Sequence, residues 1–166
     1  MPLVIASSAP VARPAVSGVP FAGSSDVPLG TLVVTRDDRR DWREAPIEPS
    51  WILEGRPRAR SIVLARGRDD FAVTTLWECS EGTFRWRFGW DETVHILDGR
   101  VDVTDDEGLV HVLEAGSIAV FPAGTWATWK VVGHVRKMAV CRRAFPAKVA
   151  MAIRFLGHAR RMLGLV

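Results

Sequence analysis

The ten residues WDETVHILDG, from Trp90 to Gly99, decide the fold prediction for this chain. After Glu92, apolar and polar residues alternate, and this period of two is typical of a half-buried β-strand. Asp98-Gly99 reads as a tight turn that leads into the second strand of a hairpin. The same alternation places Glu92 on the buried face, where a carboxylate needs a partner. That partner is a metal, a substrate or a structural hydrogen bond.

Eight segments of this kind follow one another between residues 71 and 141, and glycine-containing turns separate them. They are FAVTTLWEC, TFRWRF, ETVHIL, RVDVT, LVHVL, SIAVF, TWATWKVV and RKMAVC. Even spacing with no helical period between the segments predicts an antiparallel β-sandwich or a small β-barrel. Upstream, between residues 31 and 68, shorter apolar runs predict edge strands: TLVV, WILEG and SIVLA.

The two ends of the chain differ from this β region. Residues 1–30 are rich in Ala, Pro, Ser, Val and Gly and predict an extended arm, which leaves residues 31–145 for the barrel. Residues 146–166 change to a helical period, with an apolar stripe of Ala152, Phe155, Leu156, Ala159, Met162 and Leu163. Outside that stripe fall Lys148, Arg154, His158 and Arg161. We expect the stripe to pack on the barrel or on a partner subunit in preference to a membrane surface.

The composition is that of one globular domain, with 166 residues, 48% hydrophobic and 25% charged. A net charge of +3 without a nucleic-acid-binding motif argues against nucleic acid as a partner. Cys79 and Cys141 lie far apart without a CxxC pattern, so we expect two buried free thiols. No apolar run reaches membrane-spanning length, and the first residues lack the basic region of a secretory signal, which predicts a cytoplasmic protein.

Four longer stretches occur in the order found in cupins: LWECSEGTFRW, DETVHILDGRVDVTDDEG, LEAGSIAVFPAG and TWKVVGHVRKMAV. From about Trp77 to Val140 the chain therefore resembles the DUF861 (Cupin_3) group of cupins. The resemblance implies an all-β fold, a single antiparallel jelly-roll barrel. Its better-known relatives include (S)-ureidoglycine aminohydrolases, which use a divalent metal, and ethanolamine-utilisation accessory proteins.

Metal-dependent cupins carry the motifs G-x5-H-x-H-x3-4-E-x6-G and G-x5-P-x-G-x2-H-x3-N. The frame of these motifs is present here, in Glu92, Gly99, Gly116, Pro122 and Gly124. The histidines are not, because their positions hold Arg85 and Arg87 (or, with the shorter spacing, Trp86 and Phe88) and Ala127. Since one carboxylate cannot replace a three-ligand site, we predict neither a metal nor another cofactor.

Two nearby histidines do not repair that site. His95 lies three residues after Glu92, so a period of two turns it to the opposite face of the sheet. His111 alternates with apolar neighbours in LVHVL, and we expect it to be a hydrogen-bonded core or interface histidine rather than a ligand.

The stretch TFRWRFGW decides what the interior contains. Burying two unpaired guanidinium groups is far less favourable than burying aromatic rings, so the aromatic residues are expected to face inward. They are Phe84, Trp86, Phe88 and Trp90. An aromatic cavity with one polar anchor is typical of small-molecule sites. The predicted ligand-binding residues are Glu92, Trp86, Phe88, Trp129 and Trp77.

We therefore predict a metal-free cupin that binds a small organic ligand, with Glu92 either serving as an acid or base or binding a cation that stacks on the rings. An equally weighted alternative is that the rings simply fill the barrel and Glu92 accepts a hydrogen bond from Trp129 or Lys137. A lone buried acid would also make Glu92→Leu neutral or slightly stabilising.

Two other functions stay open from the sequence. One is a metabolic enzyme of hydrolase or isomerase type that resembles the ureidoglycine aminohydrolases and uses Glu92 as acid or base. The other is a structural module that works through its arm and helix. In each case we expect a homodimer, because a Pro-rich arm can cover an edge strand of a neighbouring copy.

Overall fold

The structure is a computed structural model, and it describes residues 32, 34, 41–162 and 164. The predicted arm, residues 1–30, lies outside the described residues, so the division of the chain at residues 30 and 145 stays a prediction. Within the described part, eight antiparallel strands precede one α-helix, which confirms the predicted all-β class. The strands are β1 (Arg43–Glu44), β2 (Ile52–Gly55), β3 (Ala59–Arg66), β4 (Ala72–Arg87), β5 (Asp91–Thr104), β6 (Val110–Glu114), β7 (Ile118–Phe121) and β8 (Trp126–Arg142). A 3-10 helix (Pro49–Trp51) precedes β2, and the helix α1 (Ala147–Met162) follows β8.

Three long strands, β4, β5 and β8, lie side by side in the middle of the sheet, and each of them bends once. The bends coincide with shifts in the pairing register, near Gly82 in β4, Gly99 in β5 and Gly133 in β8. All three glycines have positive φ, and such bulges and glycines are how a strand turns a corner in a barrel.

The bends divide the sheet into two leaves. The first leaf contains β1, β3 and β7 together with residues 72–80, 91–96 and 134–142 of the long strands. The second leaf contains β2 and β6 with the remaining halves. Trp77 of the first leaf lies 6.0 Å from Trp129 of the second, measured between ring centroids. The two leaves therefore face each other across one core, as in a jelly roll.

Asp98-Gly99 is not the hairpin turn that the sequence suggested. It is a bend inside β5, which pairs with β8 on both sides of it. A Cβ atom on Gly99 would lie 2.0 Å from the carbonyl oxygen of His134, so only glycine allows this approach of β5 to β8. Hairpin turns also favour glycine at positive φ. A bend within a strand and a hairpin turn therefore have the same local sequence pattern. The turns expected near Gly82 and Gly133 are bends as well, so the eight predicted segments form five strands.

The core lies between the leaves and has the predicted sidedness. Phe84 and Phe88 are fully buried, Trp86 and Trp90 are partly buried against them, and both arginines of this segment are exposed. Cys79 and Cys141 are buried free thiols, as expected. A smaller apolar cluster covers the outer face of the first leaf and contains Ile62, Leu64, Leu76, Trp42, Leu97 and Met138.

The C-terminal segment forms the predicted helix, α1, and the described part of the barrel does not cover it, so packing on a partner subunit stays a prediction. None of its residues is buried, and Phe155 and Leu156 in its apolar stripe are 71% and 66% exposed. Only the preceding linker holds to the barrel, where Phe145 stacks on Phe71 with ring centroids 4.7 Å apart. The barrel residues that the structure describes therefore leave the stripe uncovered.

Candidate functional site

The carboxylate of Glu92 has a hydrogen-bonding partner inside the barrel. The Nζ atom of Lys137, on β8, donates to Oε1 of Glu92, on β5, over 2.6 Å. Both side chains are buried, with 6% and 9% of their surface exposed. Lys137 was one of the two donors that the sequence suggested, and it is the one that binds. A buried carboxylate next to a buried ammonium group is electrostatically compensated on both sides.

Two indole rings complete the surroundings of this ammonium group. The Nζ atom of Lys137 lies 4.4 Å from the ring centroid of Trp129 and 4.9 Å from that of Trp77. Both distances are within the range of a cation–π interaction, which is strong when the cation is desolvated. A stacked ligand cation was one possibility from the sequence, and here the protein's own Lys137 takes that position.

The aromatic residues predicted to bind a ligand form one continuous cluster. Trp77 makes edge contacts with Trp129 and Trp86, at centroid distances of 6.0 and 6.3 Å. Phe88 stacks on Phe121 at 4.3 Å, and Phe121 lies 5.6 Å from Trp129. Their rings contact one another across the space between the leaves. This part of the interior is occupied by the protein's own side chains, as eight-stranded barrels often are.

The cluster contains three polar atoms without a hydrogen-bond partner in the structure, the Nε1 atoms of Trp77, Trp86 and Trp129. A buried N–H group normally has an acceptor, so three such groups close together are unusual. The interior therefore has more hydrogen-bond donors than acceptors.

The two buried thiols do not add a nucleophile to this interior. Burial raises the pKa of Cys79 to about 12. Burial, reinforced by the negative charge of Glu92, also raises the pKa of Cys141 to about 12. Both thiols are therefore protonated at neutral pH, and the thiolate is the reactive form of cysteine.

The positions that hold metal ligands in metal-dependent cupins do not suit a metal here. Trp86 and Phe88 point inward at the two positions of the first motif, and Ala127 is buried at the position of the third histidine. Arg85 and Arg87, the alternatives given by the longer spacing, are exposed on the other face. Among residues 41–162, no three His, Cys, Asp or Glu side chains lie close enough together to hold an ion.

Neither of the two histidines is a ligand in this arrangement. His95 is on the outer face of the first leaf, between Met138 and Ile118 on the neighbouring strands, as expected. His111 is not a core residue, because 48% of its side chain is exposed. Its Nε2 atom lies 2.8 Å from Oδ2 of Asp105, in the turn that precedes β6.

A cleft of about 570 Å³ opens at the mouth of the second leaf, and no sequence pattern predicted it. We call it the mouth cleft. Its floor is apolar and includes Val103, Leu113, Ala119, Phe121 and Ala127, and Ile118, Val120 and Pro122 also line the cleft. Its rim is polar and includes Asp105, Asp106, Glu107, His111, Thr125 and Trp126. A volume of a few hundred Å³, an apolar floor and a few polar rim groups are the usual features of small-molecule sites.

Carboxylates on the rim are partly used by the structure itself. Asp105 accepts hydrogen bonds from the backbone N–H groups of Glu107 and Leu109, and Asp106 accepts one from Trp126. The hydrogen bond from His111, followed by those from the backbone, holds the pKa of Asp105 below its usual value. The rim therefore stays negatively charged at neutral pH.

A second cleft, of about 410 Å³, lies on the outer face of the first leaf. Its wall is a row of side chains with alternating charge on five neighbouring strands, which we call the outer row: Glu44, Arg60, Glu78, Arg136 and Asp98. Arg60 forms an ion pair with Glu78 and stacks over Trp42, and His134 lies 2.9 Å from Asp98. Because Arg60 is paired with Glu78 and Asp98 with His134, we assign the outer row a structural role.

Comparison with known proteins supports the fold and part of the resemblance. A family model described as an EutQ-like cupin domain matches residues 66–139. A DUF861 family protein from Thermotoga maritima is 39% identical over a match covering 39% of this chain and 73% of that chain, with a TM-score of 0.37. No protein with curated function matches the chain.

Two further solved structures are more distant in sequence. A DUF861 family protein of unknown function from Pseudomonas syringae pv. tomato is 20% identical, covering 60% of this chain and 43% of that chain, with a TM-score of 0.56. A putative ethanolamine utilization protein from Salmonella typhimurium is 20% identical, covering 53% and 72%, with a TM-score of 0.47. The first of these shows the same fold. The relation to ureidoglycine aminohydrolases stays a prediction.

Proposed function

Because this chain belongs to the DUF861 family of EutQ-like cupins, we propose that it binds a small organic molecule at the mouth of its barrel without a metal ion. The observation that carries the proposal is the position of the mouth cleft. Its floor includes Ala127, which stands where a metal-dependent cupin has its third histidine. The cleft therefore occupies the place at which the cupin motif puts function, with apolar surface in place of ligands.

The interior cluster supports the cleft from behind. Phe121 forms part of the cleft floor and also contacts Phe88 and Trp129. In this proposal the side chains of the cleft floor are held in place by a wall behind them. The wall consists of Glu92, Trp77, Trp86, Phe88 and Trp129. A rigid aromatic wall keeps a binding site preorganised, which reduces the entropic cost of binding.

The proposal is tested by filling the cleft. Ala119 lies on the floor and is half-buried, so Ala119→Phe fills part of the cleft. Ala123→Phe, at an exposed position outside the cleft, is the matched control. We expect a small molecule to copurify with the wild-type protein from its native host and with Ala123→Phe, and to be lost from Ala119→Phe, as measured by mass spectrometry of extracts. Equal amounts in all three proteins, or none in the wild type, would contradict the proposal.

A second candidate function is an enzyme of hydrolase or isomerase type. The favouring observation is the Lys137–Glu92 contact of 2.6 Å, since a carboxylate next to an ammonium group is able to exchange a proton. Glu92→Gln keeps the shape of the side chain and removes its basicity. If the copurified compound is converted by the wild-type protein and not by this variant, as followed by NMR, the enzyme reading holds. Binding without conversion by either protein supports the binding function alone.

We also propose that the protein is a homodimer. The outer face of the first leaf exposes Ile118 (68%) and Val120 (65%) on the edge strand β7, and both residues also line the mouth cleft. An edge strand with an apolar face is a ready surface for a second copy. Light scattering is expected to give a dimer mass for the wild type and a monomer mass for Ile118→Lys. A monomer mass for the wild type at micromolar concentration would remove the claim.

A further inference from the structure

The C-terminal helix α1 has the charge and the apolar surface of a helix that lies on a membrane. Between Ala115 and Val166 the chain has nine Lys and Arg residues and neither Asp nor Glu. Six of these cations, Arg142, Arg143, Lys148, Arg154, Arg160 and Arg161, fall between the end of β8 and the end of α1. Strong charge asymmetry along a chain indicates an anionic partner for the charged end.

The apolar side of α1 is wider than a helix needs for packing on a barrel. At 100° per residue, its large apolar residues occupy an arc of about 200° between Met151 and Ile153. A helix that faces a protein core typically shows a stripe of about 100° or somewhat more. An arc of this width covers about half of the helix surface. When a helix lies in a bilayer surface, its apolar half enters the boundary between headgroups and acyl chains.

The cations are distributed around that arc in the manner of an interfacial helix. Arg154, His158 and Arg161 lie on the opposite, polar face. Arg160 falls within the arc, and so does Lys148, which the sequence pattern placed outside the apolar stripe. Each is near one end of the helix, where a long side chain can bury its methylenes and extend its charge to the headgroups. Among the described residues, α1 is too short and too polar to span a membrane.

The apolar residues of α1 are free to meet such a surface. Its six large apolar residues range from 44% exposure at Val149 to 77% at Met162. The linker fixes the start of the helix to the barrel through the Phe145–Phe71 stack and a hydrogen bond from the N–H of Arg143 to the carbonyl of Phe71. The helix therefore leaves the barrel at a defined point, with its apolar arc uncovered by the described residues.

We propose that α1 docks the protein on an anionic lipid bilayer, with the apolar arc inserted and the cations bound to phosphate headgroups. Attraction to the headgroups and burial of the arc act together in this mode, because each contributes to the same partition free energy. A nucleic acid does not fit the same surface, since the apolar arc would remain in water. The other occupant to be distinguished is the barrel of a second copy of this chain.

The proposal is tested with the full-length protein and vesicles of phosphatidylglycerol and phosphatidylcholine in equal parts, or of phosphatidylcholine alone. We expect the wild-type protein to sediment with the anionic vesicles at low salt, and to bind far less to neutral vesicles or at high salt. Leu156→Ser should weaken binding by about tenfold or more, because a leucine side chain is no longer buried. Arg160→Glu with Arg161→Glu should also weaken it by at least about tenfold, from the loss of two cations near the headgroups.

Leu109→Ser is the matched control, because Leu109 is exposed on the barrel to nearly the same extent as Leu156, 60% against 66%. This variant should bind vesicles as the wild type does. Equal binding of the wild type to neutral and anionic vesicles, or no binding to either, overturns the proposal. A smaller mass for Leu156→Ser than for the wild type in light scattering without lipid also overturns it, because the helix would then be covered by a second copy.

Discussion

The first leaf carries an ion pair on each of its faces, and the two pairs lie in very different surroundings. Inside, Lys137 and Glu92 are almost completely shielded from water and lie among indole rings. Outside, Arg60 and Glu78 are part of the outer row, with 48% and 26% of their side chains exposed. The comparison shows that the number of ion pairs says little about stability. Water screens the outer pair, whereas each charge of the inner pair depends on its partner for compensation.

The largest expected effect comes from removing one member of the inner pair. Lys137→Met keeps the volume and length of the side chain and leaves the carboxylate of Glu92 buried without its partner. Such a change typically costs about 3–5 kcal/mol. We expect a loss of this size in the free energy of unfolding measured with urea. Glu92→Leu should also be destabilising, because it leaves the Lys137 ammonium group buried without its partner. This reverses the neutral effect expected from the sequence for a lone buried acid. A loss below about 1 kcal/mol for either variant would show that water reaches the pair.

The double variant Glu92→Leu with Lys137→Met sharpens the comparison. Replacing a buried ion pair by apolar side chains of similar volume is often neutral or stabilising by about 1–4 kcal/mol. The double variant is therefore expected to recover most of the stability that either single variant loses, and the urea midpoints of the four proteins give the coupling energy. If the double variant is stable but no longer carries the copurified compound, the pair serves binding. Additive losses would show that the two side chains are not coupled.

A smaller effect is expected for the outer pair. Arg60→Met should cost about 0–1 kcal/mol in the free energy of unfolding, because solvent-exposed pairs contribute in this range. The cost should fall as salt is added, in contrast to that of Lys137→Met. Both variants place the same residue in strands of the same leaf, so they form a matched pair in one urea series. A cost for Arg60→Met equal to that for Lys137→Met would remove the distinction between the faces.

The smallest effect on stability is expected from replacing Asp98, at the end of the outer row. The hydrogen bond from His134, with a weaker contribution from the backbone N–H of Gly99, lowers the pKa of Asp98 from 3.8. A lowered pKa in the folded state stabilises the protein above the unfolded value and ceases to do so as the pH falls through the folded value. The thermal midpoints of the wild type and Asp98→Asn should therefore differ slightly at neutral pH and converge at acidic pH. A difference that persists in acid would argue against this contribution.

The sequence was sufficient for those features that depend on local alternation. A period of two placed Glu92, Phe84 and Phe88 inward and His95 outward, and the structure agrees. It did not distinguish the bend at Gly99 from a hairpin turn, because both need a glycine at positive φ. The difference lies in the close approach of another strand, which no local pattern reports.

The ion partner of Glu92 and the mouth cleft depend on how distant parts of the chain meet. The residue directly opposite Glu92 is Cys141, and Lys137 lies four residues away along β8. It reaches the carboxylate only because two long side chains lean towards each other. The cleft likewise needs residues from β5, β6, β7 and β8. Its floor reads in the sequence as ordinary buried strand residues.

The way β4, β5 and β8 pass through both leaves also has a consequence for folding kinetics. Neither leaf can assemble from its own short strands alone, since each long strand contributes one half to either side of its bend. The barrel should therefore fold and unfold as one cooperative unit, without a stable half-folded intermediate. Pairing of strands far apart in sequence, such as β4 with β8, is also slow to nucleate. Slow amide hydrogen exchange should extend evenly across both leaves, because opening either one requires opening the other.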